Sequence, residues 1–252
     1  MSNGISKDKI LEKMENIIKS LHNICEGEKI TVLEKYKAQL AEILEKAILL
    51  ANFDREIPGH ELAHTFRVLK LSIAIACYEG GDVLKIAIAA LLHDVGRVIE
   101  EKGGDHHALV SANIAKKVLS GTIFSKLAND VAQIIREHSF SLNKSSSSLE
   151  SRILQDADRL DALGAIGIAR VFAYGGFKGR CISEPLIAVE SKKCSIDHFY
   201  EKILKLPFLI NTTIARKLAA SRCDKVKKFL DMLKEEMELK DLEKILSSRI
   251  EP

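Results

Sequence analysis

The sequence predicts an all-α protein, on three observations. From Gly59 to Glu184 there is no proline, and the run is rich in Ala, Leu, Ile and Lys, which favours uninterrupted helices. Apolar residues recur at helical spacing along most of the 252-residue chain. Strictly alternating stretches, the mark of half-buried strands, are too short to count.

The elements follow in order. Ile10, Met14, Ile17, Ile18 and Leu21 share a helix face, and Gly27 stops it. Val32–Leu50 reads as a second helix, ended by Asn52-Phe53-Asp54 and the Pro58-Gly59 break. Helices are expected from His60 to Tyr78 and, after Gly80-Gly81-Asp82, from Val83 to Val95. Ile86–Leu92 is apolar all round, as a helix at the centre of a core must be. Two more helices lie between Asp105 and Leu119 and between Ser125 and His138. Ser139–Ser148, ending in four serines, reads as a polar loop. One long helix is expected from Leu149 to Ala173, then a flexible basic loop, Tyr174–Arg180, and an irregular stretch to Cys194. His198–Leu206 is a short helix interrupted by Pro207, and Asn211–Leu239 forms the closing helices.

Composition excludes several classes. Hydrophobic residues at 46% and charged residues at 29% describe a soluble globular chain rather than a disordered or collagen-like one. The net charge of +3, spread along the sequence, gives no electrostatic case for a nucleic-acid polymer as partner. The five cysteines are scattered without a Cys-x-x-Cys pair, so reduced thiols are expected. The N-terminus lacks an apolar signal core, and no apolar run approaches the ~20 residues of a membrane span. A cytoplasmic protein with no membrane partner is the expectation.

Eight histidines are the other unusual feature, and six (His60, His64, His93, His106, His107, His138) fall in the proline-free stretch. The apolar helix Ile86–Leu92 runs straight into His93-Asp94, and burying those groups is costly unless something pairs with them. A divalent metal is one such partner; a His–Asp hydrogen bond capping the helix before Gly96 is the simpler one. His60, His64, Arg67 and Leu71 share one helix stripe. Further on, Asp156, Asp158 and Asp161 interrupt an otherwise apolar helix. Asp158 and Asp161 could share a face while Asp156 points elsewhere, unless these acids pair with Arg152 or Arg159.

His64, His93-Asp94 and Asp158, in that order, resemble the H…HD…D signature of the HD superfamily of metal-dependent phosphohydrolases. The flanking words agree: His64-Thr65-Phe66-Arg67-Val68, Leu91-Leu92-His93-Asp94-Val95-Gly96-Arg97, and Ala157-Asp158-Arg159-Leu160-Asp161. The similarity extends from Ala38 to Leu230 and is closest to the single-domain bacterial and archaeal branch, some of whose members hydrolyse nucleotides, including deoxynucleoside triphosphates.

The resemblance implies an HD-domain helical bundle with its metal site between central helices. It divides the chain into an N-terminal helical extension (1–30), a hydrolase domain (31–240) and a C-terminal tail (241–252). It makes His64, His93, Asp94 and Asp158 ligands of a divalent ion, Mn²⁺ or Mg²⁺ first, with Fe, Co, Ni or Zn as alternatives. His93, Asp94 and Arg97 become the catalytic group; Arg97 stands where relatives often carry Lys. Arg67, Arg97, Lys178 and Arg180 are candidates for phosphate recognition, the alternatives being solvated surface charges or, for Arg67, a pairing with an aspartate; the loop bearing the last two has a composition suited to closing over substrate. His107 (or His106) and His138 are either phosphate contacts or ligands of a second metal, as in some relatives. His60 is expected beside the ligands rather than among them, and His22 and His198 as ordinary surface or packing residues. The implied partner is a small phosphorylated substrate, a nucleotide first, with a homo-oligomer left open. Two other readings remain: a di-iron HD oxygenase and a non-catalytic ligand-binding HD module.

Overall fold

A computed structural model describes residues 6–25, 27–51, 57–139, 146–183 and 194–248. Among them there is no strand. The helices are α1 (Lys7–Leu21), α2 (Glu28–Leu50), α3 (Leu62–Glu79), α4 (Val83–Leu92), α5 (Arg97–Glu101), α6 (His107–Leu119), α7 (Ala128–His138), α8 (Leu149–Asp161), α9 (Gly164–Phe177), α10 (Asp197–Glu201), α11 (Thr213–Met237) and α12 (Lys240–Ser248). The expected polar loop, the break expected after α2 and the irregular stretch before Cys194 fall largely on 140–145, 52–56 and 184–193, outside the described residues.

The centre is α4. Beyond Lys85 it has no polar face: every side chain from Ile86 to Leu92 is fully buried, and α2, α3, α6, α7 and α8 surround it. Asp82 starts it by accepting from Leu84 N (3.0 Å) and Lys85 N (3.2 Å). Because α4 is sealed from Ile86 onward, its C-terminal end at His93 delivers polar groups into the interior rather than to solvent. α1 lays Ile10, Met14, Ile18 and Leu21 against α2 and α3, each side chain contributing about 2 kcal/mol of burial.

The expected 149–173 helix is broken. Leu163 is extended and Gly164 adopts φ +71°, a left-handed conformation open to glycine, so α8 and α9 meet at 72°. Neither residue disfavours a helix strongly enough to mark the bend in sequence. The expected flexible loop is also corrected, since α9 continues through Tyr174–Phe177. The C-terminal tail contains a helix, α12, and residues 203–209, Pro207 included, form a 3₁₀ turn after α10.

The expectation of reduced thiols is overturned. Cys25 pairs with Cys77 and Cys181 with Cys194, with Cα atoms 5.6 and 4.6 Å apart, while Cys223 is free and buried. The partners lie 52 and 13 positions apart in the chain, so only the folding of α1 onto the end of α3 brings the first pair together. Among the described residues no single helix is long and apolar enough to cross a membrane.

Candidate metal centre

α3, α4, α6, α7 and α8 direct side chains to one point. His64 stands in the first turn of α3, His93 caps α4, His107 opens α6, His138 closes α7, and Asp158 lies in the last turn of α8. The four histidines are at most 2% exposed.

Each of these imidazoles is held from behind through Nδ1. His93 Nδ1 donates to the Ala90 carbonyl (2.8 Å) and His138 Nδ1 to the Ile135 carbonyl (2.6 Å). His64 Nδ1 lies 2.7 Å from Asp161 Oδ2, and His107 Nδ1 lies 2.8 Å from Glu100 Oε2. A carbonyl or carboxylate only accepts, so the proton sits on Nδ1 and the neutral ring presents a lone pair from Nε2. Those Nε2 atoms point inward. His64 and His93 bring theirs within 3.3 Å of each other, and His64 Nε2 is 3.4 Å from Asp158 Oδ1 and 3.6 Å from Asp94 Oδ2. Nε2 of His107 and of His138 are buried with no hydrogen-bond partner, 3.6 and 3.7 Å from Asp94 Oδ1.

Lone pairs that converge on a carboxylate repel unless a cation lies among them. The orphaned nitrogens and the His/Asp donor set therefore fit a divalent metal. His64, His93 and Asp158 form one group able to hold an ion, and His93, Asp94 and His138 another. The simple His93–Asp94 cap is not what the structure contains, because His93 spends its donor on Ala90.

Charge is balanced tightly here. Burial pushes Asp94 up, but Arg97 and His93 outweigh it and hold its carboxyl well below the usual range. Asp158 is likewise lowered, burial being overcome by His64 and His93. Burial drops His93 and His60 to about 4 and His107 to about 2. His64 is raised, since the carboxylates of Asp161 and Asp94 outweigh its burial and the Arg170 charge.

The remaining expected residues divide. His60 sits at the edge of the cluster, its Nδ1 2.9 Å from Asp94 Oδ2. Arg97 Nε donates to Asp94 Oδ1 (3.2 Å) and faces the adjoining cleft. His107, not His106, turns into the cluster, while His106 caps α6 through Ala108 N. For Arg67 the structure shows the aspartate pairing: its Nε (2.7 Å) and an Nη (3.0 Å) donate to buried Asp161, so it braces the site. Lys178 pairs with Glu101 (2.5 Å) over the rings of Tyr174 and Phe177.

A cleft of about 240 Å³ opens from Asp158 outward. Arg97, Arg180 and Lys202, with the His198 imidazole beside them, give it a basic wall, and Val171, Ile203 and Leu206 an apolar one. His198 is thus a cleft residue, not the surface or packing residue its isolation in sequence suggested. Burial lowers Lys202, with the Asp158 charge opposing. Asp161, Glu100, Arg170 and Lys202 were not legible as site residues. Asp161 carried a signal in its i, i+3 spacing from Asp158, but Arg170 and Lys202 reach the site only through the α8–α9 bend and the placement of α10.

Residues 62–163 match the model of the HD domain. The uncharacterized protein YpgQ of Bacillus subtilis is 33% identical over 186 residues, 72% of this chain and 86% of that protein. A solved HD-superfamily hydrolase from Bacillus thuringiensis is similar with a TM-score of 0.57 and 33% identity, covering 92% of this chain and 99% of that one. The structure of Bacillus subtilis YpgQ in complex with ADP is similar with a TM-score of 0.59 and 29% identity, over 78% and 96% of the two chains.

Proposed function

Since the chain belongs to the HD-domain family, we propose that it is a metal-dependent phosphohydrolase acting on nucleotides, deoxynucleoside triphosphates among them, or on other small phosphate esters. The observation that carries this reading is the convergence of Nδ1-anchored imidazoles on Asp94 beside a cationic cleft. His64, His93, Asp94 and Asp158 would hold the ion, Mn²⁺ or Mg²⁺ first. When bound, a divalent ion supplies a Lewis acid for a phosphoryl oxygen and lowers the pKa of a water.

The chain's own residues do the rest. Asp161 fixes the His64 ring, and His60 fixes the Asp94 carboxylate. Arg97, held by Asp94 and Glu100, offers its remaining donors to negative charge developing on the transferred phosphoryl group. Arg180, His198 and Lys202 face the outer part of a bound phosphate, and the apolar wall suits a base or sugar. Complete burial of the histidines excludes bulk water from the ligand side. The ADP bound by YpgQ supports a nucleotide as substrate. We take 31–240 as the hydrolase domain, with α1 an added helix whose buried face accounts for its presence.

The test is release of phosphate or pyrophosphate from a nucleotide panel with Mn²⁺ or Mg²⁺, together with metal analysis of His93→Ala and Asp94→Ala. If neither substitution changes the bound metal, the assignment is wrong. A second reading, a di-iron oxygenase, draws on the partnerless Nε2 atoms of His107 and His138, which add donors to the cluster. It predicts bound iron and oxygen consumption in place of phosphate release.

A further inference from the structure

Apart from Arg97, the basic wall of the cleft comes from two short segments joined by a disulfide. Arg180 directly precedes Cys181, and His198 follows Cys194 by one helical turn, with Lys202 one turn beyond it. The two segments lie edge to edge: Ser195 N donates to Cys181 O (2.7 Å) and Ile196 N to Ile182 O (3.0 Å). Cys194 N donates to Asp197 Oδ2 (2.8 Å), which ties the cysteine to the start of α10. On the other side, Arg180 N closes onto Gly175 O (2.8 Å), fixing Arg180 to the end of α9. Gly175 is needed for this docking, because a Cβ there would lie 2.0 Å from Ser195 Oγ.

We infer that the Cys181–Cys194 disulfide is a positioning element of the substrate cleft: it fixes Arg180 on one segment and His198 and Lys202 on the other at the spacing that grips a phosphate chain, and its reduction loosens that grip. The inference rests on the phosphohydrolase reading of the cleft. Its physical basis is preorganisation. α10 is anchored independently by Phe199, buried against Phe172 and Phe229, so the bond acts mainly by tying the Arg180 segment to that anchored one; with it intact the wall is ordered before substrate arrives, and without it the ordering of Arg180 opposes binding.

The chemistry balances as thiol–disulfide exchange. Cys181 is partly exposed and Cys194 is 1% exposed, so a dithiol reductant attacks the Cys181 sulfur and Cys194 leaves as thiolate. The second thiol of the reductant then displaces Cys181. Two electrons and two protons pass to the protein, giving two thiols, and the reductant becomes a cyclic disulfide. A small-molecule disulfide such as oxidised glutathione reverses the change.

The test uses the full metal-loaded chain, oxidised with glutathione disulfide or reduced with dithiothreitol and then desalted. Calorimetry with inorganic tripolyphosphate reads the grip without requiring turnover. Reduction is expected to raise the dissociation constant about tenfold, the scale of ordering one or two long side chains. The KM for a hydrolysed nucleotide should rise in step, with kcat and bound metal little changed. Because reduction also opens Cys25–Cys77, the Cys25→Ser/Cys77→Ser variant should keep the full redox response, and Cys181→Ser/Cys194→Ser should bind weakly in both conditions. Equal binding by oxidised and reduced wild type overturns the inference, and that comparison needs no variant to fold. If neither form binds tripolyphosphate, the phosphate reading of the cleft fails and the inference falls with it. Hydrolysis with equal KM in both forms overturns the inference alone.

Discussion

His64 and His93 turn their Nε2 atoms toward each other across 3.3 Å while Asp161 and the Ala90 carbonyl hold the two rings from behind. With both rings protonated only on Nδ1, the form that can bind a metal, the two Nε2 lone pairs repel, so that form is costly until a cation joins them. Binding to the folded state then adds stability by mass action, about 2.7 kcal/mol at a hundredfold excess over Kd. For a chain of this size, Mn²⁺ added after chelation should raise the melting temperature by roughly 5–10 °C. A melt that does not move on adding Mn²⁺, Mg²⁺ or Fe²⁺ contradicts the metal centre.

Asp161 sits behind the cluster without facing its centre. It accepts from Arg67 twice and from Arg170 (2.9 Å) while its Oδ2 orients His64. Asp161→Asn should lower metal affinity about 10–100-fold through the freed His64 ring. It should also cost about 3 kcal/mol, because Arg67 and Arg170 lose a buried counter-charge. Calorimetric metal titration and urea unfolding read the two effects separately; unchanged metal affinity would show that His64 needs no support.

The metal-free chain should lose stability in acid through its histidines. Burial, aided by Arg97 for His60, lowers His60 and His93 to about 4, below the ordinary 6.5. A folded-state value below the unfolded one means the contribution is complete above 6.5 and lost as pH falls toward 4. His107, at about 2, extends the loss further down. Asp94 and Asp158, both lowered, add theirs below 3.8. His64 is raised and works the other way, contributing in acid and losing that as pH rises through its folded value. With three groups against one, the melting temperature in chelator should drop between pH 6.5 and 4. A flat profile across that window would rule out buried neutral imidazoles.

Gly96 lies where α5 crosses α6. A Cβ at this position would come within 2.7 Å of the His107 carbonyl and 2.8 Å of Val110 Cβ. Gly96→Ala should therefore cost about 1–3 kcal/mol by overpacking, and it should displace the start of α6 with His107 on it. Thermal melts and activity measured together check this; an alanine variant with normal stability would mean α6 yields without strain.

Removing the Cys25–Cys77 bond frees a 52-residue separation in the unfolded chain. Cys25→Ser/Cys77→Ser should cost about 2–4 kcal/mol, seen in denaturant midpoints, with metal content unchanged. A midpoint equal to wild type would place the bond outside the folding energetics.

The sequence made α4 legible because a helix apolar on every side has only one place to go. His64, His93, Asp94 and Asp158 were legible because their order and flanking words are distinctive, and the structure brings them together. The α8–α9 bend was not, since Ala162, Leu163 and Gly164 each tolerate a helix and only the packing of α9 decides. The choice between a phosphate and an aspartate as the partner of Arg67 was undecided for a similar reason. Its stripe with His64 was evident, but which partner it meets depends on Asp161, 94 residues away. The cysteine pairs and the His198–Lys202 wall are likewise products of tertiary placement, for which neither periodicity nor spacing carries a signal.

Asp156, two residues before Asp158, is fully buried and points away from the metal centre. Its carboxylate accepts from Asn211 N (2.8 Å), Asn211 Nδ2 (2.8 Å), Thr212 N (2.7 Å) and Thr212 Oγ1 (2.8 Å). Arg222, on α11, caps the Leu160 carbonyl on the same stretch of α8 (2.6 Å). The stretch matched as the HD domain ends at residue 163, before every one of these donors. Cut there, it would keep Arg159 at 4.0 Å from Asp156 but lose all four of those donors, within one turn of Asp158. A graft or truncation drawn at the motif boundary would therefore inherit the His/Asp cluster without the brace, reaching into α11, that holds α8 in place.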